Sequence, residues 1–354
     1  MDSDEMRCFT KNFSFDRCKK GNQGFHRILI QLFGLLGNGK SSFINTCIYV
    51  WKDCEFENWS KAVDKDGGST TERIPYKLTE NLTLVDNRGC IRMDDKESGV
   101  IFAQLGNLLP LGNVQWGEGF GLAERMVRAE KEVRTSDFIF PVFVQSVRKE
   151  ITDTEREDLK LLFQTARKLT GVVPIVVLTH KTAGSLTKTE GIFRDIGIDR
   201  IFSFENYTRE DHMKTRGKHE EVLKFLCEVI RDVQFQVEQP RNPSEEMKMR
   251  RKFVLNYIHE CEMKEQQRKV ENMKALEQAQ KQKGLKQQEE EMKKRREEEE
   301  RKQEEELIRR QQELRWERER EEAIREDIIT AQTENPVKKP SLIKKILKIK
   351  KKDS

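Results

Sequence analysis

The run Gly34-Leu35-Leu36-Gly37-Asn38-Gly39-Lys40-Ser41 most narrows the folds open to this chain, because it fills every fixed position of G-x-x-x-x-G-K-[ST], the phosphate-binding loop. Its flanks agree. Arg27 to Phe33 is β-branched and apolar and reads as a buried strand that ends at Gly34. After Ser41, the residues Phe43, Ile44, Cys47, Ile48 and Trp51 recur at helical spacing. In such a strand–loop–helix the glycines let backbone N–H groups close around phosphates, and the helix N-terminus adds positive potential. Lys40 is then the residue for the terminal phosphates and Ser41 the hydroxyl for Mg²⁺. Gly34, Gly37, Asn38, Gly39 and Ser42 complete the candidate phosphate contacts.

Alternating apolar strands and amphipathic segments continue beyond the loop. Phe138–Val144 and Val172–Leu178 read as buried strands, Thr152–Leu169 as a helix, Ile201–Phe204 as a last strand and Glu221–Phe235 as a closing helix. The pattern predicts an α/β domain with a mainly parallel sheet covered on both faces. Ile74–Leu78 and Leu82–Val85 read as a hairpin of strands. Pro141 is awkward inside a strand. Ile91 to Val133 shows only glycine-rich loop signals, and the segment before Gln23 reads equally as a packed element or a loose tail.

Three further places fit a nucleotide domain. Asp86-Asn87-Arg88-Gly89 ends the second hairpin strand as D-x-x-G, with Asp86 placed for Mg²⁺ and Gly89 for the terminal phosphate. Asp66 to Thr71 is a polar stretch in which Thr71, with Thr70 second, would reach Mg²⁺ and the γ-phosphate. Cys90 stands where many such enzymes carry a water-orienting glutamine, which predicts hydrolysis that is slow or needs a group supplied by a partner. At the end of the Val172–Leu178 strand, Thr179-His180-Lys181-Thr182 overlays a base-reading [NT]-K-x-D pattern. Thr179 matches, His180 stands at the lysine position, and Thr182 lacks the carboxylate that accepts from guanine. Glu205, followed by Asn206, falls where the final base loop lies and would supply a carboxylate in its place.

On Gly34 to Ser42, Ser69 to Glu72, Asp86 to Gly89, the Thr179 strand end and Phe204 to Tyr207, the region from Phe25 to Glu238 resembles P-loop GTPases of the interferon-induced protein 44-like kind. It is similar, more distantly, to immunity-associated GTPases and chloroplast import receptors. The resemblance implies GTP/GDP binding with Mg²⁺, slow hydrolysis, dimers across the nucleotide face and, in vertebrates, a defence role.

Charged residues make up 36% of the chain against 35% hydrophobic, too polar for one globule of this length, and the excess lies C-terminally. We divide the chain into an N-terminal segment (1–24), the nucleotide domain (25–238), a long charged helix (244–335) and a basic tail (336–354). Ser244 is the expected helix cap. Phe253, Leu255, Ile258, Val270, Met273 and Leu276 would pack on a partner or back on the domain. From Lys293 to Glu306 no residue is apolar, which suits a solvated helix held by i,i+4 pairs such as Glu297–Arg301, Glu298–Lys302, Glu305–Arg309 and Glu306–Arg310 better than a continuous coiled coil. In the tail, Leu342, Ile343, Ile346 and Leu347 share one helical face opposite Lys344, Lys345 and Lys348. This is a basic amphipathic pattern for an anionic membrane surface, with a nuclear import signal or a solvated tail as rivals. The net charge of +5 belongs to this tail, so no specific nucleic-acid surface is expected.

Seven cysteines without a C-x-x-C pair, and an acidic, polar start, predict a reduced cytoplasmic or nuclear setting. Three readings stay open: a slow GTPase whose nucleotide state sets homodimerisation or higher self-association, a nucleotide-bound scaffold working through its long helix, and an adenine-nucleotide P-loop protein, favoured by Thr182.

Overall fold

Among the described residues, apolar runs bounded by turn residues form six strands, and amphipathic segments between them cover both faces of the sheet. The computed structural model describes residues 1–60, 73–90, 95–112 and 121–334. Strands β1 (Arg27–Phe33), β2 (Ile74–Thr79), β3 (Leu82–Asp86), β4 (Asp137–Ser146), β5 (Ile175–Thr179) and β6 (Ile201–Phe204) form one sheet in the order β2-β3-β1-β4-β5-β6. Only β2, joined to β3 by the expected hairpin, runs antiparallel. Five parallel strands therefore deliver their C-terminal ends to a single edge, where the phosphate loop, the D-x-x-G turn and the two base loops emerge.

The two sheet faces have separate cores. Ile28, Ile30 and Leu32 of β1 pack with α2 (Lys40–Lys52) and α7 (Arg216–Gln236). Phe33 and Phe143 pack on the other face with α3 (Asp95–Leu105), α5 (Asp153–Thr170) and α6 (Leu186–Asp195). The N-terminal segment is packed rather than loose: α1 (Ser3–Lys11) buries Met6 and Thr10 against α7, and Phe13, Phe15, Phe25 and Phe138 form a chain of ring contacts.

Several boundaries differ from the sequence reading. The β5 strand starts at Ile175, because Pro174 has no N–H for a ladder. Pro141 sits inside β4 at no loss to β5, since pairing between those strands begins only at Val142 and Ile175. The stretch expected as loops holds α3 and α4 (Leu122–Arg128), whose cores come from long-range packing rather than a clean helical period. Helix α7 begins at Arg216, before its apolar repeat does.

Helix α8 (Pro243–Glu334) is 92 residues long. Its cap is Asn242, not Ser244: the Asn242 Oδ1 accepts from the N–H groups of Ser244 (3.1 Å) and Glu245 (3.3 Å), and Pro243 occupies the first turn, where a missing donor is harmless. The chain divides into two compact units, Met1–Gln266 and Gln267–Ser354. In the first, Met247 and Val254 are buried and the rings of Phe253 and Tyr257 meet Phe102 of α3. The buried Arg250 donates to Leu169 O (3.1 Å) and to Glu246 (2.7 Å), which also binds Arg241 (2.7 Å). In the second unit, Val270, Met273, Leu276, Leu285, Met292, Leu307 and Leu314 are exposed in this chain. Of the four ion pairs expected along the helix, Glu298–Lys302 forms at 2.9 Å. Glu297 instead meets Lys293, Glu305 meets Arg301, and Arg309 meets Glu313. With opposite charges available four residues away in both directions, such exposed pairs exchange partners at little cost. Among the described residues no helix is long and apolar enough to cross a membrane. The tail residues Leu342 to Lys348, like Thr70 and Thr71, lie outside the described residues.

Candidate nucleotide site

The loop between β1 and α2 is shaped by its glycines. At Gly34 (φ +142°) a Cβ would run into Val144 O, and Gly39 (φ +82°) caps α2 in the left-handed region. Asn38 ties the loop to β4 by donating to Val144 O (3.1 Å) and Gln145 Oε1 (2.9 Å). Its own carbonyl accepts from Thr179 Oγ1 at 2.8 Å. Thr179 thus holds the phosphate loop from β5. Ser42 lies in the first turn of α2, where its carbonyl accepts from Thr46.

Lys40 is 6% exposed and donates to Gly34 O (3.1 Å) and Leu35 O (3.0 Å), so one of its three N–H groups is left over. Desolvation lowers its pKa, opposed by Asp86 and Cys90. Gly89 presses against it: a Cβ there would lie 2.7 Å from Lys40 Nζ. The D-x-x-G turn and the phosphate loop are also joined through backbone, with Leu36 N donating to Cys90 O at 2.9 Å.

Asp86 receives Ser41 Oγ at 2.7 Å and Ser60 Oγ at 2.8 Å, both on Oδ2, while its buried Oδ1 has no partner among the described residues. An orphaned carboxylate oxygen beside the loop hydroxyl suits a divalent cation. Ser60 was not singled out in the sequence, since a serine in a polar stretch carries no signal. Desolvation raises the Asp86 pKa, against the opposing Ser41 and Ser60 hydrogen bonds and the Lys40 charge. A folded value above the unfolded one means that its stability contribution is complete below the ordinary aspartate value of 3.8 and is lost as pH rises through the folded value. Asp86→Asn should therefore stabilise the metal-free protein at neutral pH by about 1 kcal/mol, as relief of a strained functional site commonly does. It should also flatten the acid side of the stability profile and remove any Mg²⁺ enhancement of triphosphate binding. Denaturant titrations at acidic and neutral pH test this; parallel profiles for both proteins would count against it.

Cys90 is buried, and desolvation pushes its thiol up to about 11, so it is neutral at physiological pH and no base. At the base loops, His180 has φ +57°, and its Nδ1 meets Ser146 Oγ (3.0 Å) and Thr179 Oγ1 (3.1 Å). Burial, then Arg148, lower its pKa against Glu205, which leaves a neutral ring. Lys181 points away to Glu221 at 2.9 Å. Glu205 Oε2 accepts from both the backbone N–H (3.1 Å) and hydroxyl (2.8 Å) of Thr182, so the two loops are clasped. Asn206 is buried with neither amide atom partnered, and its Nδ2 is 3.4 Å from a Cβ built on Gly39.

A central β1 flanked by β3 and β4, a glycine loop from β1 into α2, and a carboxylate at the end of β3 beside the loop serine define a P-loop NTPase fold. No protein-family model matches the chain, and no curated protein does. Among solved structures, it is similar to a plasmid partition protein from Borrelia burgdorferi, with 12% identity over 63% of this chain and 91% of that one and a TM-score of 0.22. A second, from Borrelia burgdorferi B31 and bound to AMPPNP, shows 10% identity over 64% and 92% of the two chains and the same TM-score, 0.22. Likeness at that level carries no argument on its own, and the fold assignment stands on the loop and strand order.

Proposed function

We propose that this chain binds a nucleoside triphosphate with Mg²⁺ and turns it over slowly, as a nucleotide-dependent switch of the interferon-induced protein 44-like kind. The observation that carries the reading is the orphaned Asp86 Oδ1 beside Ser41, next to a buried ammonium on a glycine loop. Ser41 and Asp86 would hold the cation, which supplies charge neutralisation at the phosphates. Lys40 and the loop amides would bind the phosphates. Slow turnover follows from Cys90, whose protonated thiol neither orients nor deprotonates water. Self-association across the nucleotide face, a cytoplasmic and defence setting, and membrane contact through the tail belong to the same proposal.

For the base, Glu205 supports guanine: it is a carboxylate anchored by Thr182 at the loop where guanine is read. A second reading, adenine, is favoured by Thr182 itself, which brings no carboxylate, and by the two hydrogen bonds already occupying Glu205. Equilibrium binding of fluorescent GTP, GDP, ATP and ADP with Mg²⁺ separates them. On the guanine reading, Glu205→Ala weakens GTP about tenfold or more and leaves ATP unchanged, because the loss of a charged acceptor leaves guanine donors unmatched. A wild-type preference for ATP establishes the adenine reading instead. Tight binding with no turnover at high protein concentration would point to a scaffold working through α8.

A further inference from the structure

A second lysine stands over the phosphate loop. Lys149 follows β4, in the turn where its N–H bonds Ser146 O at 3.2 Å. Its Nζ donates to Leu36 O, the carbonyl next along the loop from the two that Lys40 binds, and lies 3.5 Å from a Cβ built on Gly37. An ammonium has three donors, so Lys149 keeps two to give. It makes no ion pair among the described residues. The carboxylates beside it are engaged elsewhere: Glu150 with Lys188 at 3.0 Å, and Glu155 with Thr152 at 2.8 Å. Lys149 also borders a cavity of about 320 Å³ between Leu35, Gln145, Ile151 and Leu159, which gives its side chain room to move.

Two ammonium groups thus cap three consecutive carbonyls of one loop. Holding like charges together without an anion between them is unfavourable, and an anion that meets both relieves the repulsion. The loop lysine serves the terminal phosphates, and Lys149 holds the next carbonyl of the same loop. There a triphosphate carries more negative charge than a diphosphate.

We propose that Lys149 is a second phosphate-contacting residue, a cationic finger supplied in cis that distinguishes triphosphate from diphosphate. The assignment rests on the nucleotide reading above. It also addresses what Cys90 leaves undone: charge placed on the terminal phosphate is one way for the chain to stabilise transfer.

The test uses the full chain with Mg²⁺ and fluorescent diphosphates and non-hydrolysable triphosphate analogues of guanosine and adenosine, on wild type, Lys149→Ala and Lys149→Arg. Loss of one charge-assisted contact should weaken triphosphate binding about tenfold or more in Lys149→Ala and diphosphate binding less than about twofold, with Lys149→Arg restoring most of it. If Lys149 only staples the loop through Leu36 O, both nucleotides weaken together; if it is a solvated side chain, neither changes. Either result overturns the proposal while leaving the nucleotide reading intact. A wild-type protein that binds neither nucleotide overturns both. Circular dichroism confirms that the variants are folded, as expected for substitutions at an exposed position.

Discussion

Lys40→Ala raises the dissociation constant for nucleoside triphosphate by about 100-fold or more, the consequence of deleting a buried charge that makes more than one charge-assisted contact. The ammonium sits in a dry site, held by Gly34 O and Leu35 O and fenced by Gly89. Stability should change far less than binding, because two effects oppose. The substitution leaves two carbonyls without their donor, at about 1–3 kcal/mol each if fully dry. It also removes a cation whose pKa is already lowered by desolvation, and so relieves a penalty. Calorimetric titration with GTP and ATP, paired with a thermal melt, reads both quantities. Wild-type affinity in this variant would remove the phosphate loop from the function altogether.

Arg73→Ala destabilises the fold by about 3–5 kcal/mol, the range for breaking a buried charged network by removing one partner. Arg73 has no exposed surface. Its guanidinium donates to Asn87 Oδ1 (3.1 Å), Leu109 O, Gln104 O (3.3 Å) and Asn107 Oδ1 (3.3 Å), and its backbone pairs with Gly112 in both directions. Burial pushes its pKa down to about 9, against the raising influence of Asp137, so it remains charged at neutral pH. Truncation would strand four acceptors in the interior and leave a cavity. Lysine should not rescue it, since a single ammonium cannot reach donors' positions spread across a planar fork. At roughly 2–4 °C per kcal/mol for a domain of this size, the melting temperature should fall by about 10 °C; a fall below a few degrees would show that the network contributes little. Asn87 extends the effect to the site. It is the second residue of D-x-x-G and bonds Gln31 Oε1 (2.8 Å) and Leu32 O (3.0 Å), so the turn carrying Asp86 and Gly89 is held partly through Arg73. Weaker triphosphate binding should accompany the loss of stability.

How much of this was legible beforehand depends on the reach of each interaction. The phosphate loop, D-x-x-G and the parallel α/β pattern are local: a glycine spacing, a carboxylate at a strand end and runs of β-branched residues carry their meaning within a few positions. The α8 helix is local in the same sense, although its cap fell on Asn242 because Pro243 suits the first turn better than it suits the break assigned to it. Helices α3 and α4 were illegible. The apolar residues of α3 serve contacts with α4, α5 and α8 and do not form one clean stripe.

The sequence by itself determined that this chain has a phosphate loop, a mainly parallel sheet and a long charged helix, because propensity and periodicity act between near neighbours. The tertiary structure alone decided which distant groups meet at the site. Ser60 reaches Asp86 across 26 residues, Glu205 reaches Thr182 across 23, Arg73 reaches Leu109 across 36, and Lys149 reaches Leu36 across 113. Each pairing follows from strand order, which brings the ends of β1, β3, β4, β5 and β6 to one edge; no period within a segment encodes that order.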